Sequence, residues 1–148
     1  MEFIPITNES QAVSAFENHA EAKAIFMRSQ HFYQKIGYSP PWIGYFTKEG
    51  DQFVGTAAFK GKPIDQKVEI AYATFEAFQQ KGVATRMCQA LVAIALRESP
   101  DIKITARTLR EENYSTKVLR KNGFSLAGTV VDPEDGEVWE WVYGEESN

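Results

Sequence analysis

At 148 residues, with 43% apolar and 24% charged residues, the chain has the size and composition of a single folded domain spanning 1–148, far from disordered or fibrous sequence. A net charge of −4 and a pI near 5.3 exclude a surface built to coat nucleic acid, which needs clustered Lys and Arg. One cysteine, Cys88, and two histidines, His19 and His31, exclude an internal disulfide and a Cys-rich zinc site, so no metal is expected and a reduced, cytoplasmic setting fits.

The segment MEFIPITNES lacks a basic stretch followed by an apolar core, and the longest apolar run, residues 90–96, is far short of a membrane span. Neither a secretion signal of that kind nor a membrane segment is expected. EFIPI reads as a first strand. The stretch from Asn8 to Ile36 has mostly helical composition, with Val13, Phe16, Ala20, Ala24 and Ile25 at helical spacing, and predicts one or two helices. GYSPP ends them, because Pro40 and Pro41 remove amide donors and push their predecessors toward extended geometry.

WIGYFTKEGDQFVGTAAFKG predicts a hairpin turning at Lys48-Glu49-Gly50-Asp51, and KPID turns the chain into a third antiparallel strand, QKVEIAYATF. After Gly82, the residues Val83, Met87, Leu91, Ile94 and Ala95 share one helical face up to ESP. A strand IKITART, a short helix STKVLRKN closed by Gly123, and the strands FSLAGTVV and EVWEWVY complete the order βααβββαβαββ. This is an α/β arrangement, with helices flanking a central, mostly antiparallel mixed sheet of about seven strands.

The strand-to-helix junction QQKGVA is the informative stretch. A helix opening at Gly82 leaves its first amides without intrahelical partners, with about half a positive charge from the aligned peptide dipoles, and Gly82 lets an anion approach the backbone closely. Lys81 and Arg86 add charge beside it. The bland alternative is a glycine that relieves a tight turn. A P-loop, G-x-x-x-x-G-K-S/T, is absent, as is the dinucleotide fingerprint G-x-G-x-x-G.

These residues resemble the GNAT superfamily of acyl-CoA-dependent N-acyltransferases. Its signature, Q/R-x-x-G-x-G/A, is matched by Gln79-Gln80-Lys81-Gly82-Val83-Ala84 after a strand and at the opening of a helix. The segment ENYSTKVLRKNGF is similar to a second family feature, with Lys121, Gly123 and Phe124 in register. The resemblance covers almost the whole chain and is strongest to the branch containing ribosomal-protein N-terminal acetyltransferases.

The resemblance implies acetyl-CoA as co-substrate and a primary amine, on a protein N-terminus or a small molecule, as acceptor. It places the pantetheine arm along the backbone of Tyr72, Ala73 and Thr74, and the pyrophosphate on the amides of Gln80, Lys81, Gly82, Val83, Ala84 and Thr85. Asn113 and Ser115 fall where the family contacts pantetheine, although Glu112 stands at the usual Asn position; their alternative role is helix capping. Glu69, on the strand before the signature, is the candidate general base, against the alternative of a solvent-facing strand residue. Many relatives carry a proton-donating Tyr where this chain has Leu119, which leaves Tyr114, Tyr72 and Tyr33 as substitutes. Cys88, inside the apolar helical pattern, reads as a small buried hydrophobe.

Neither a nucleic-acid nor a membrane partner is expected. Trp139 and Trp141 share one face of the last strand, as core or as a homodimer surface. The competing functions are a non-catalytic acyl-CoA-binding module and an interaction protein with a vestigial phosphate cradle.

Overall fold

In the computed structural model, which describes residues 1–7 and 20–144, the strands and helices run β1 (Glu2–Pro5), α1 (Ala20–Ile36), β2 (Gly44–Glu49), β3 (Gln52–Phe59), β4 (Lys67–Thr74), α2 (Val83–Glu98), β5 (Lys103–Thr108), α3 (Tyr114–Lys121), β6 (Phe124–Asp132) and β7 (Gly136–Tyr143). The expected order holds wherever residues are described. Val13 and Phe16, and with them the second early helix, lie outside the described residues.

All seven strands form one sheet in the order β1-β2-β3-β4-β5-β7-β6, so β4 is its centre. Neighbours are antiparallel except β4 and β5, which run parallel. The hairpin turns tightly at Gly50 and Asp51, with Gly50 at φ 61. Gly55 faces α2 on β3, where an added Cβ would lie 2.4 Å from the Ala73 carbonyl oxygen and 3.2 Å from Met87. Any larger residue there would push β4 or α2 away from the sheet.

Helix α2 covers that face with Val83, Met87, Leu91 and Ala95, all buried, as the 3.6-residue period requires. Ile94 sits at the margin of this stripe and is only partly buried. Each large side chain buried in it stabilises the fold by about 1.5–3 kcal/mol. Helix α1 lies on the opposite face, tied down by Tyr33, whose hydroxyl donates to Ile6 O at 2.7 Å and accepts from Gly44 N at 3.1 Å. Its buried stripe is Ala22, Phe26 and Tyr33. That corrects the expected phase: Ala20 and Ala24 are exposed and Ile25 is half-buried, because alanine is neutral between core and solvent and the aromatic residues set the face.

Trp139 and Trp141 do share a face, with ring centroids 6.3 Å apart. Trp141 is fully buried, its indole donating to Thr108 Oγ1 at 3.0 Å and its ring lying 4.9 Å below the Arg120 guanidinium. It is core. Among the described residues no helix is long and apolar enough to cross a membrane.

Candidate active site

The parallel pair β4 and β5 stays together only from Lys67–Ile70 against Lys103–Ala106. Beyond that point β4 continues to Thr74 along β3, while β5 continues to Thr108 along β7. The facing edges, Ala71 to Thr74 and Arg107 to Thr108, therefore have no strand partner. A sheet split at its centre exposes backbone donors and acceptors that an amide-bearing chain can satisfy as an added strand. A cavity of about 260 Å³ lies in the split, bordered by Ala71, Tyr72, Ala106, Ser115 and Leu119.

On one side the split opens into a cavity of about 430 Å³ formed by Tyr72, Ala73, Thr74, Gln79, Gln80, Ala84, Tyr114 and Ser115. It lies at the start of α2. A short 3-10 turn, Glu76–Phe78, follows Phe75, and then Gln80 at φ 63 and Gly82 at φ 79 reverse the chain into the helix. Gly82 is the N-cap, in left-handed geometry, and no side chain caps the first amides. An added Cβ at Gly82 would lie 3.0 Å from Arg86 Nη1. The signature thus builds a bare helix N-terminus beside a cavity, the arrangement that favours an anion.

Arg86 does not supply free positive charge there, contrary to expectation. Its guanidinium holds Glu49 in a two-pronged ion pair at 2.8 and 2.7 Å and touches Lys81 O at 3.3 Å. The pair lowers the Glu49 pKa by hydrogen bonding and leaves Lys81, whose ammonium sits 5.8 Å over the Phe78 ring, as the cation there with no carboxylate partner among the described residues.

On the other side, the split opens into a groove of about 670 Å³ between α1 and the sheet. Lys60, Glu69, Ala71, Arg107 and Asp132 border both this groove and the split, so the cavities are contiguous through the sheet. Glu69 stands at the junction, with Oε2 at 3.3 Å from Lys60 Nζ and Oε1 at 3.6 Å from Arg107 Nε. Arg107 also meets Asp132 at 2.9 Å and Glu140 at 3.5 Å, and Glu140 meets Lys67 at 3.2 Å. The Asp132 carboxyl is held down to about 2 by the amide of Glu134, the Arg107 guanidinium and the amide of Asp135, so it is ionised at any neutral pH.

A family model for the GNAT acetyltransferase domain matches residues 2–125. This chain belongs to that family. An uncharacterised N-acetyltransferase of Bacillus subtilis strain 168, YjdG, is 30% identical over 103 residues, which is 69% of this chain and 58% of that relative's length. The chain is similar in fold to RimL, a ribosomal L7/L12 alpha-N-protein acetyltransferase solved with coenzyme A, at TM-score 0.68 and 19% identity over 95% of this chain and 97% of the other. It is also similar to a variant of the spermidine N-acetyltransferase SpeG from Vibrio cholerae, at TM-score 0.70 and 12% identity over 97% of this chain and 94% of the other.

Within this GNAT domain the residues expected to hold the cofactor come together unevenly. Tyr72, Ala73, Thr74, Gln80, Ala84 and Ser115 border the cavity beside α2, whereas Lys81, Gly82, Val83 and Thr85 lie at the helix start without lining that cavity. Val83 is buried. Asn113 caps α3, its side-chain oxygen accepting from Thr116 N at 3.1 Å within a capping box. Glu112 completes that cap, accepting from Thr116 Oγ1 at 2.9 Å and pairing with Arg120 at 2.7 Å. The departure at Glu112 therefore reinforces a helix start.

The proton donors sort themselves by contact. Tyr33 is committed to Ile6 and Gly44, and Leu119 is buried at the split, where it offers no proton. Burial raises the Tyr72 pKa well above its ordinary value, with a hydrogen bond to Cys88 adding to the rise. Burial also pushes the Cys88 thiol up to about 12, so it is no nucleophile. Tyr114, half-exposed, borders the α2-side cavity. His31 is exposed on α1, in a shallow depression outside the groove.

Sequence reading missed Gln79 as a cavity residue and missed Lys60, Arg107, Asp132 and Glu134 altogether. A charge inside the alternating strand IKITART was the one local signal for Arg107.

Proposed function

We propose that this GNAT domain transfers the acetyl group of acetyl-CoA directly to the nitrogen of a primary amine, on a protein N-terminus or a small molecule. The observation that carries the reading is the split between β4 and β5, which joins a cavity at an uncapped helix N-terminus to a separate groove through the sheet. Two reactants can thus meet from opposite faces without either passing the other. In the transfer, a C–N bond forms as the thioester C–S bond breaks, and the thiol and the amide are the products.

The chain's own groups divide the work. The amides of Gln80 to Thr85 would hold the pyrophosphate, and the free edge from Tyr72 to Thr74 would pair with the pantetheine amides. Ser115 would contact the same arm. An amide on that edge would stabilise charge developing on the carbonyl oxygen. Glu69, at the junction of the two cavities, would accept the ammonium proton directly or through water. The acceptor enters along the groove beneath α1.

Release of free CoA from acetyl-CoA in the presence of an amine panel tests the reading. A second reading, a CoA-binding module without turnover, is favoured by Leu119 at the split and by the two cations already on Glu69. Binding of CoA without its release by any amine is the result that would select it. We further propose one domain acting in the cytoplasm, where Cys88 stays reduced, and self-association through β6, the sheet edge on which Val131 is 74% exposed, since Trp141 is buried within the chain. Light scattering on the purified protein measures the association.

A further inference from the structure

The groove beneath α1 has a composition that discriminates among amines. Its charged border contains three cations, Arg28, Lys60 and Arg107, and three carboxylates, Glu69, Asp132 and Glu134. They cancel. Four of the six are fixed, since Lys60, Arg107, Glu69 and Asp132 are bound to one another. Among the described residues Arg28, on the α1 wall, has no ion-pair partner, and of the three carboxylates that is true of Glu134 alone. Its position is nevertheless set, since Asp132 Oδ1 accepts from the amides of Glu134 at 2.9 Å and Asp135 at 3.2 Å.

The rest of the wall is apolar. Ile25 and Phe59 form its inner part, and Phe32 and Ile36 line it while remaining 40% and 41% exposed. Two large apolar side chains left partly open to water along a groove favour a ligand that covers them. A polyamine would gain little here. Its second and third ammonium groups would meet Arg28, Lys60 and Arg107 with no net negative charge to draw them in.

We infer that the acceptor is a monocationic primary amine carried on an apolar group, with Glu134 drawing the ammonium in at the rim on its way to Glu69 and Phe32 and Ile36 covering the apolar group. The inference rests on the transfer reading above and deepens it. The same chemistry is presented by a free aralkyl amine and by the N-terminal residue of a polypeptide that begins with an apolar side chain.

The test compares initial rates of CoA release for 3-phenylpropylamine, methylamine, spermidine, and two short peptides beginning with Phe and with Asp. The kcat/KM for 3-phenylpropylamine should exceed that for methylamine and for spermidine by at least about tenfold, and the Phe peptide should exceed the Asp peptide similarly. Which of the two apolar amines is faster identifies the source. Phe32→Ala, at a half-exposed helix position where folding is not at stake, should lower the 3-phenylpropylamine to methylamine ratio, mainly through KM. Glu134→Gln should raise KM for every amine in common.

Spermidine turning over as well as 3-phenylpropylamine, or a ratio untouched by Phe32→Ala, would overturn the inference. If no amine releases CoA, the transfer reading fails and the groove is judged by calorimetry on the CoA-loaded protein. Tighter binding of 3-phenylpropylamine to the wild type than to Phe32→Ala then supports the inference, and equal affinities overturn it.

Discussion

On the α2 side of the split sheet, the cavity offers free backbone, the edge from Ala71 to Thr74 and the bare amides after Gly82, beside Ala84 and the uncharged side chains of Tyr72, Gln79, Gln80 and Tyr114. On the α1 side the groove offers long side chains, Lys60, Glu69, Arg107, Asp132 and Phe32, held by ion pairs or left against solvent. Backbone recognition suits a ligand that never changes, because it constrains sequence only where a side chain would obstruct. Side-chain recognition suits a ligand that differs between relatives, since each contact can be replaced without rebuilding the sheet.

The sharpest way to break this contrast is Gly82→Glu. The substitution puts a Cβ 3.0 Å from Arg86 Nη1, forces a side chain onto φ 79, and adds a carboxylate where an anion is to bind. CoA affinity measured by calorimetry should fall at least about a hundredfold. Undiminished affinity would mean that the backbone side is not the cofactor side.

Glu69→Gln acts on the other side and should separate chemistry from binding. Turnover should fall by about ten- to a hundredfold, within or just below the general-base range, while CoA affinity stays unchanged. The loss should shrink as pH rises, because more of the amine then arrives neutral. A pH–rate profile that overlays the wild type would reduce Glu69 to a partner of Lys60 and Arg107.

The same contrast governs what was legible in the sequence. The signature around Gly82 and the helix period from Val83 to Ala95 report local backbone geometry, which neighbouring residues encode, and both appear as read. The split itself follows from where β4 leaves β5, a pairing across more than thirty residues that no local pattern records. The Arg107 cluster draws on β4, β5, β6 and β7 and on Lys60 just past β3, so its members look like ordinary strand and turn charges until the sheet assembles. Likewise Arg86 reads in the sequence as free positive charge beside the helix start because Glu49, its partner, lies on a distant hairpin.

Tyr114→Phe tests whether the α2 side supplies a proton as well as the proposed cradle. Leu119 offers none, and a CoA thiolate is a far better leaving group than an amide anion, so departure should depend little on a side-chain acid. Turnover should remain within about tenfold of wild type, below the range of an essential general acid. A larger fall with CoA binding intact would move the departing proton to Tyr114.

The smallest expected effect is on stability and belongs to Asp132, which orders the rim of the groove. Its carboxylate accepts from two amides and from Arg107, and these hold its pKa down to about 2 in the folded protein, against about 3.9 in an unfolded chain. A group whose pKa is lowered by folding stabilises the native state above the unfolded value and loses that contribution as pH falls through the folded one. The Tm of Asp132→Asn should therefore lie below that of the wild type by a constant margin from pH 7 down to about 5. Between about pH 4 and pH 2 the margin should close, since the wild-type carboxyl then becomes neutral too. Thermal melts of the two proteins at matched ionic strength measure this directly. A margin independent of pH would mean that the asparagine loses shape rather than charge, and that the turn carrying Glu134 is held by its amides alone.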